Sequence, residues 1–343
     1  MGKKIIEKQK ILMVVPNDIS IGIIESQMFG LANYYNSRYT VSIAIPDQYS
    51  QKLKVDDYNV FWYDEYHQLF SELNKFDTIY FRSVISLFHL LFRCKLNSVK
   101  ILYDFRGLSS YETLYKNKKM IPFLVLFLAE IFILLIADQI QCVSHNMKKY
   151  LLKIIKGKSV SVVPCLTSSA AKRTDMVGNR VRFIYVGGLS AWQKISTIIA
   201  IAEKIQSSMD CEFTFVTSSS KEMSDILTKT KLKNYQVMSG NNHYVLSILR
   251  TQDFGFLFRD DAVFNEVASP VKYLEYTSCG VVPILTPYIG DYSKHVSEQN
   301  IGIIYNYNNS QLISDIKAVS KRMPDIREKL FEYSSKFTWS NYK

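Results

Sequence analysis

The sequence predicts an α/β protein made of two domains, each a parallel sheet covered by helices, and three observations carry that expectation. Short runs of apolar, β-branched and aromatic residues alternate with stretches whose apolar residues have helical spacing, the order that produces parallel sheets covered by helices. The length of 343 residues exceeds one compact core and suits two domains of about 150 residues each. A strand–turn–helix opening also occurs twice, at ILMVVPNDISIG (11–22) and again at RFIYVGG (182–188), with a small, polar, turn-rich stretch between them. The boundaries follow: a first domain at 1–165, a linker at 166–180, a second domain at 181–322, and closing helices at 323–343. At 48% hydrophobic and 21% charged residues, the composition supplies enough core material for both.

In the first half, ILMVVP (11–16) is a buried strand, IIESQMFGLANYY (23–35) a helix and YTVSIAIP (39–46) a second strand. Gly22 falls where the loop meets the helix, and a residue without a side chain there lets backbone approach a ligand or simply eases the turn. The absence of GxGxxG at this turn excludes the usual nicotinamide-binding pattern. Further strands are predicted at 60–63, 78–82 and 101–107, the last reading ILYDFRG. Asp104, Arg106 and Gly107 then stand at the carboxyl edge of a strand, where α/β sites form, and Asp104 with Arg106 can equally brace the loop as an ion pair.

MIPFLVLFLAEIFILLIA (120–137) is close to the shortest length that spans a bilayer. A span is rejected because Glu130 would sit near its middle and because the segment runs directly into the strand QIQCVS of the same sheet. A core helix and a helix that dips into a membrane face remain. Residues 91–165 carry 12 basic and 4 acidic side chains, with Lys116, Lys118 and Lys119 before the helix and Lys148, Lys149, Lys153, Lys156 and Lys158 after it. Basic residues around an apolar helix suit an anionic membrane surface better than nucleic acid, for which no motif is present. Five scattered cysteines, without CxxC or Cys/His clusters, exclude a disulfide framework and a zinc site and suit a reducing cytoplasm. The basic N-terminus lacks a secretory cleavage pattern.

The second half opens with RFIYVGGLSAWQK (182–194), in which Gly187 and Gly188 follow a strand and Lys194 lies early in a helix. Glycines there let backbone N–H groups face an anion, and a tight turn explains them as well. CEFTFVT and NYQVM are strands, and the turn SGNNHY (239–244) precedes a helix. Residues 253–285 are the most informative: an apolar strand ends at Arg259, Asp260 and Asp261, a polar loop follows, Ser269 and Pro270 suit the N-cap and first position of a helix, and Gly280 suits its left-handed end. Lys272 and Glu275, three apart, share one face near the helix N-terminus. A lysine there opposes the helix dipole, so an anion is expected beside it; with Arg259, this makes a phosphate site. A βαβ unit whose Lys272 and Glu275 merely pair on a solvated face fits the spacing equally.

The string FLFR, then SPxK, then EY, then Gly and a hydrophobic strand resembles the donor-binding segment of family 4 glycosyltransferases, enzymes of the GT-B fold with two Rossmann-like domains facing across a cleft. YDFRG and YVGGLSAWQK resemble segments of the same family, the former in its polysaccharide-assembling members. The resemblance implies that Arg259, Lys272 and Lys194 hold the diphosphate of a nucleotide sugar, that Glu275 holds the ribose, and that Gly22, Gly187 and Gly188 lie against the donor. It places Asp104 and Arg106 on the acceptor side and the nucleotide base at 239–244. Many members carry an earlier glutamate with seven residues before the second. Here that position is Val267, and Glu266, one residue off, is the candidate for the donor sugar. The final helix is implied to return to the first domain, with Phe337 to Tyr342 packing there.

The implied reaction is a retaining glycosyl transfer by front-face attack, without metal or other cofactor. No D-x-D triplet is present. Arg259 and Lys272 would stabilise the leaving group, and Asp104 joins them as the catalytic candidate on the acceptor side. The natural acceptor is a lipid-linked saccharide of capsule, O-antigen or exopolysaccharide synthesis, at the inner face of the plasma membrane. A GT-B-shaped nucleotide-sugar epimerase and a non-catalytic membrane scaffold are the alternatives. The first needs carboxylates and a histidine around the sugar, and His89, His145 and His243 show no such grouping. The second has no need of Arg259, Lys272 and Glu275 together.

Overall fold

The computed structural model describes residues 8–167, 180–307 and 311–342. Of the linker expected at 166–180, residues 168–179 lie outside the described residues. The chain divides into two compact units, Met1–Pro164 and Cys165–Lys343.

In the first unit, strands β1 (Gln9–Val14), β2 (Tyr39–Pro46), β3 (Asn59–Tyr63), β4 (Thr78–Phe81), β5 (Lys100–Phe105), β6 (Gln139–Cys142) and β7 (Val160–Val162) form one parallel sheet in the order β3-β2-β1-β4-β5-β6-β7. Its strands are largely buried, as parallel strands covered on both faces must be. Between β1 and β2 the chain forms a helical stretch in three pieces: α1 (Ile21–Ile23), a π-helical turn (Ile24–Met28) and α2 (Phe29–Asn36). Helices α3 (Val84–Leu96), α4 (Ser109–Asn117), α5 (Met120–Ile136) and α6 (His145–Ile154) complete the unit.

Helix α5 is 17 residues long, and no helix among the described residues is long and apolar enough to cross a membrane. Glu130 has a structural role there. It is 3% exposed, and its carboxylate accepts hydrogen bonds from the backbone N–H of Ser110 (3.1 Å) and the Ser110 hydroxyl (2.6 Å). The N-cap residue Leu108 makes no side-chain hydrogen bond to that helix, and Glu130 supplies from another helix an acceptor for its N-terminus.

In the second unit, β8 (Val181–Val186), β9 (Cys211–Val216), β10 (Tyr235–Met238), β11 (Phe254–Leu257), β12 (Val282–Leu285) and β13 (Ile303–Ile304) form a second parallel sheet in the order β10-β9-β8-β11-β12-β13. Around it run α7 (Ile195–Ser208), α8 (Ser220–Leu227), α9 (Asn242–Leu249), α10 (Val263–Glu266), α11 (Val271–Ser278), α12 (Gly290–Gln299), α13 (Leu312–Lys321) and α14 (Met323–Ser335). The Phe183 ring on β8 stacks on Phe213 of β9 and on Phe254 and Phe256 of β11, joining three strands on one face. On the other face α11 lies close to the sheet because β11 has a glycine. A Cβ on Gly255 would fall 2.5 Å from the ring of Tyr276, so only a missing side chain leaves room for it. The Tyr276 hydroxyl then accepts from the Val186 N–H of β8 (3.1 Å) and donates to the Phe256 carbonyl of β11 (3.1 Å), tying α11 to both strands.

The far end of α11 follows the sequence: Gly280 has φ +70, Val281 N–H bonds the Tyr276 carbonyl and Gly280 N–H bonds that of Thr277, a Schellman motif. Its start differs by one residue. Pro270 is the N-cap, with extended backbone, and α11 begins at Val271. The Ser269 hydroxyl bonds the hydroxyl of Tyr292 on α12 at 2.8 Å instead of capping, because a buried phenol needs a partner. Residues 323–342, for which a return to the first domain was expected, have these contacts inside the second unit: α14 lies against α11, Phe337 packs on Tyr333, and Thr167 pairs with Thr338.

Two outcomes test this packing. Gly255→Val drives Tyr276 off the sheet and lowers stability by about 1–3 kcal/mol, read from the urea midpoint. Burial raises the Glu130 pKa above its ordinary value, with the Ser110 bonds opposing, so folded Glu130 holds its proton to higher pH than the unfolded chain does. Its contribution is therefore greatest below the unfolded carboxyl pKa and declines as pH rises through the folded one. Glu130→Gln should flatten that decline in denaturation from mildly acidic to neutral pH. Glu130→Ala should cost about 1–3 kcal/mol by leaving the Ser110 N–H without its acceptor.

Candidate functional site

Strand order reverses beside the first strand of each sheet, between β8 and β11 in the second unit and between β1 and β4 in the first. Ligands of open α/β sheets sit outside the carboxyl ends of strands at such points.

In the second unit the reversal brings together the turn after β8 and the loop after β11. Gly187 and Gly188 follow β8, and a Cβ on Gly187 would meet Gln193 Oε1 at 2.5 Å and the Tyr185 hydroxyl at 2.7 Å. The glycine is thus needed to seat Gln193, a residue the sequence reading did not single out. Gln193 Oε1 accepts from the Tyr185 hydroxyl (2.8 Å) and from Arg259 Nη1 (3.4 Å), so one amide joins the two loops. Arg259 is fixed through its backbone: its N–H donates to Thr286 Oγ1 (2.8 Å), and that hydroxyl donates back to its carbonyl (2.9 Å). Its guanidinium also bonds the Phe258 carbonyl at 2.9 Å.

Lys194 is not inside a helix as predicted. It is the N-cap of α7, in the left-handed region at φ 53 and ψ 40, a conformation costing roughly 1–2 kcal/mol for a residue with a side chain. Its Nζ pairs with Asp260 at 2.8 Å, and the hydrogen bond it donates to that carboxylate raises its pKa. Lys272 and Glu275 also pair, at 2.8 Å, on a face that is far from solvated: the Glu275 side chain is 7% exposed. The hydroxyl of Tyr276, the next residue, is pushed well up by burial. The structure thus gathers Gly187, Gly188, Gln193, Lys194, Arg259 and Asp260 through direct contacts, with Lys272 and Glu275 as a second pair. Glu266 is exposed at the end of α10. His243 lies in the first turn of α9, which Asn241 caps by accepting from Tyr244 N–H at 2.9 Å.

In the first unit, Asp104 is 0% exposed. Its carboxylate accepts from Arg106 Nε (2.6 Å), from Gln141 Nε2 (3.0 Å) and from the Tyr80 hydroxyl, and Gln141 in turn accepts from Tyr35 (2.5 Å). A carboxylate so enclosed is not offered to a substrate. Of the two sequence readings of Asp104, this geometry is that of the brace for Arg106. Burial first, and Asp104 second, push the hydroxyls of Tyr35 and Tyr80 well above their usual range, so both stay protonated donors. Arg106 and Gly107 line a cavity of about 550 Å³ at the carboxyl ends of β1, β4 and β5. Arg82 lines it too, and the sequence reading had not marked it as a site residue. Gly22 lies in the first turn of α1, where a Cβ would meet nothing within 4 Å, so the fold of this unit does not itself demand a glycine. Among the described residues no group of three His, Cys, Asp or Glu side chains is placed to hold a metal ion.

No protein-family profile matches the chain, and no curated protein matches it in sequence. Solved structures do. A sucrose-phosphate synthase from Thermosynechococcus elongatus superposes with a TM-score of 0.72 at 13% identity, covering 97% of this chain and 96% of that one. HepE from Anabaena, in complex with UDP-glucose, gives 0.71 at 13% identity over 97% and 96%. An α-glucosyltransferase in complex with UDP gives 0.66 at 13% identity over 98% and 96%. At such identities the likeness shows the fold, and the fold is GT-B.

Proposed function

We propose that the chain is a retaining, metal-independent glycosyltransferase of the hexosyltransferase type, moving a sugar from a nucleotide sugar to a lipid-linked saccharide in surface-polysaccharide synthesis. The observation that carries the reading is the cluster at the β8/β11 reversal, where the Gly187–Gly188 turn, Gln193, Lys194 and Arg259 meet. Its support from outside is that HepE and the α-glucosyltransferase, of like fold, are complexes with UDP-glucose and UDP.

The chemistry follows from charge. As the bond from the anomeric carbon to the diphosphate oxygen breaks, negative charge grows on the diphosphate, and Arg259, Lys272 and Lys194 are the fixed cations that meet it. The acceptor hydroxyl oxygen bonds the anomeric carbon on the same face, and its proton passes to the leaving phosphate oxygen, so no separate base is required. Glu275 receives the ribose hydroxyls, Gly187 and Gly188 present backbone N–H groups, Gly22 lies against the donor, and Glu266 faces its sugar. On the acceptor side Arg106 makes the contact and Asp104 positions it.

Attachment to an anionic membrane surface is part of the proposal. Ile121, Leu124, Val125, Leu128, Phe132 and Leu135 form one exposed apolar stripe on α5, with Ile121 at 77% and Leu128 at 65% exposure. Lys116, Lys118 and Lys119 are exposed before it and Lys149, Lys153 and Lys156 beyond it, each worth about 1 kcal/mol near anionic head groups. At 17 residues, or about 25 Å, the helix suits lying in an interface. The α-glucosyltransferase is also seen bound to UDP-glucose and DNA. A saccharide acceptor is preferred for this chain because its basic residues surround an apolar helix.

With a panel of nucleotide sugars, one donor should be consumed in the presence of a metal chelator, and Arg259→Ala should slow it about 100-fold without changing the circular dichroism. Inertness toward every donor, or wild-type turnover by Arg259→Ala, would sink the enzymatic reading. In sedimentation with liposomes, phosphatidylglycerol vesicles should retain the protein, phosphatidylcholine vesicles should not, and Val125→Glu with Leu128→Glu should release it. Equal partitioning into both kinds of vesicle would end the membrane proposal.

A further inference from the structure

The first unit's cavity has one cation that the proposed mechanism leaves unused. Arg82 follows β4 directly, half-buried, and lines the cavity together with Arg106. The charge of Arg106 is met by Asp104 at 2.6 Å, whereas the contact made by the Arg82 guanidinium is with the Met28 sulfur at 3.5 Å. Met28 brings no charge. Asp18 stands exposed at the cavity's rim. The start of α3, at Ser83 and Val84, also faces this space and adds the partial positive charge of a helix N-terminus to that of Arg82.

The same cavity opens onto apolar surface. Ile23 and Leu126 are in its wall, as is Val84. One turn beyond Val84, Phe88 is 47% exposed, and its ring stacks on Phe132 of the α5 stripe, with planes 6° apart. Val84, Phe88 and Phe132 therefore lead from the cavity to the exposed face of α5. A cation in the cavity wall and apolar side chains beside it describe a binder of amphiphiles with an anionic head.

We propose that this cavity binds the phosphate of a phosphate-linked lipid acceptor, with Arg82 as its anion contact and Val84, Phe88 and Phe132 as the bed of its hydrocarbon chain. The acceptor role rests on the transferase reading above; the binding rests on the cavity alone. A free phosphate compound would satisfy Arg82 but not these apolar side chains, so the two sources can be separated.

The test is calorimetric titration of the full chain, with UDP present in excess to fill the other unit, using farnesyl diphosphate, farnesol and inorganic pyrophosphate. Farnesyl diphosphate should bind at least about tenfold more tightly than either fragment. Arg82→Ala should weaken it about tenfold or more, and Phe88→Glu should weaken farnesyl diphosphate while leaving pyrophosphate unchanged. Circular dichroism and the thermal midpoint check that each variant is folded, and Arg82→Lys serves if Arg82→Ala is not. Farnesol binding as well as farnesyl diphosphate, or undiminished binding by Arg82→Ala, overturns the anion contact; pyrophosphate binding as well overturns the lipid chain. Arg82-dependent binding of farnesyl diphosphate in a protein that binds no UDP upholds the cavity assignment and removes the transferase reading instead.

Discussion

Every strand pair in both sheets runs parallel, and that constraint decides where polar chemistry can reside. Parallel strands need crossover helices, the helices cover the faces, and the interior becomes uniformly apolar. Side chains that must meet water or a ligand are left to the loops at the strand ends. Where the order reverses, two such loops part to opposite sides of the sheet and leave a gap between them. Gln193 with Arg259 stands at one reversal, and Arg82 with Arg106 at the other.

Three of the polar side chains that enter the interior are held there by partners. Tyr276 reaches two strands through one hydroxyl, Glu130 caps a helix other than its own, and Asp104 accepts from three donors. Such groups fix orientation, since an unpaired buried polar atom is costly while a paired one contributes modestly. The consequence for the sites is rigidity: Arg259 is held by its backbone and Arg106 by its neighbour, so both guanidinium groups are set before a ligand arrives.

The strands and most helices were legible in the sequence because their signal is local, namely apolar runs, turn residues and Gly280 at a helix end. The misplacements have nonlocal causes. Ser269 is drawn from its cap by Tyr292, 23 residues on. The left-handed backbone of Lys194 has no glycine to announce it, and its pairing with Asp260 joins loops 66 residues apart. Gln193 and Arg82 owe their positions to strand order, which no local pattern encodes. Lys272 and Glu275 were visible as a pair, but their burial was not, since it depends on how α11 is drawn onto the sheet through Tyr276.

The π-helical turn at Ile24–Met28 bears on how this chain tolerates change in length. A turn of that kind holds one residue more than a regular helix, closed here by the Phe29 N–H on the Ile24 carbonyl. Deleting one residue inside it would restore regular winding, and because the wide turn already absorbs the extra residue, what lies upstream would keep nearly its rotation relative to α2. Ile23 would then stay in the wall of the cavity, while α2 kept its seat against β2. A single codon removed there would thus spare both the wall of a binding site and the sheet behind it.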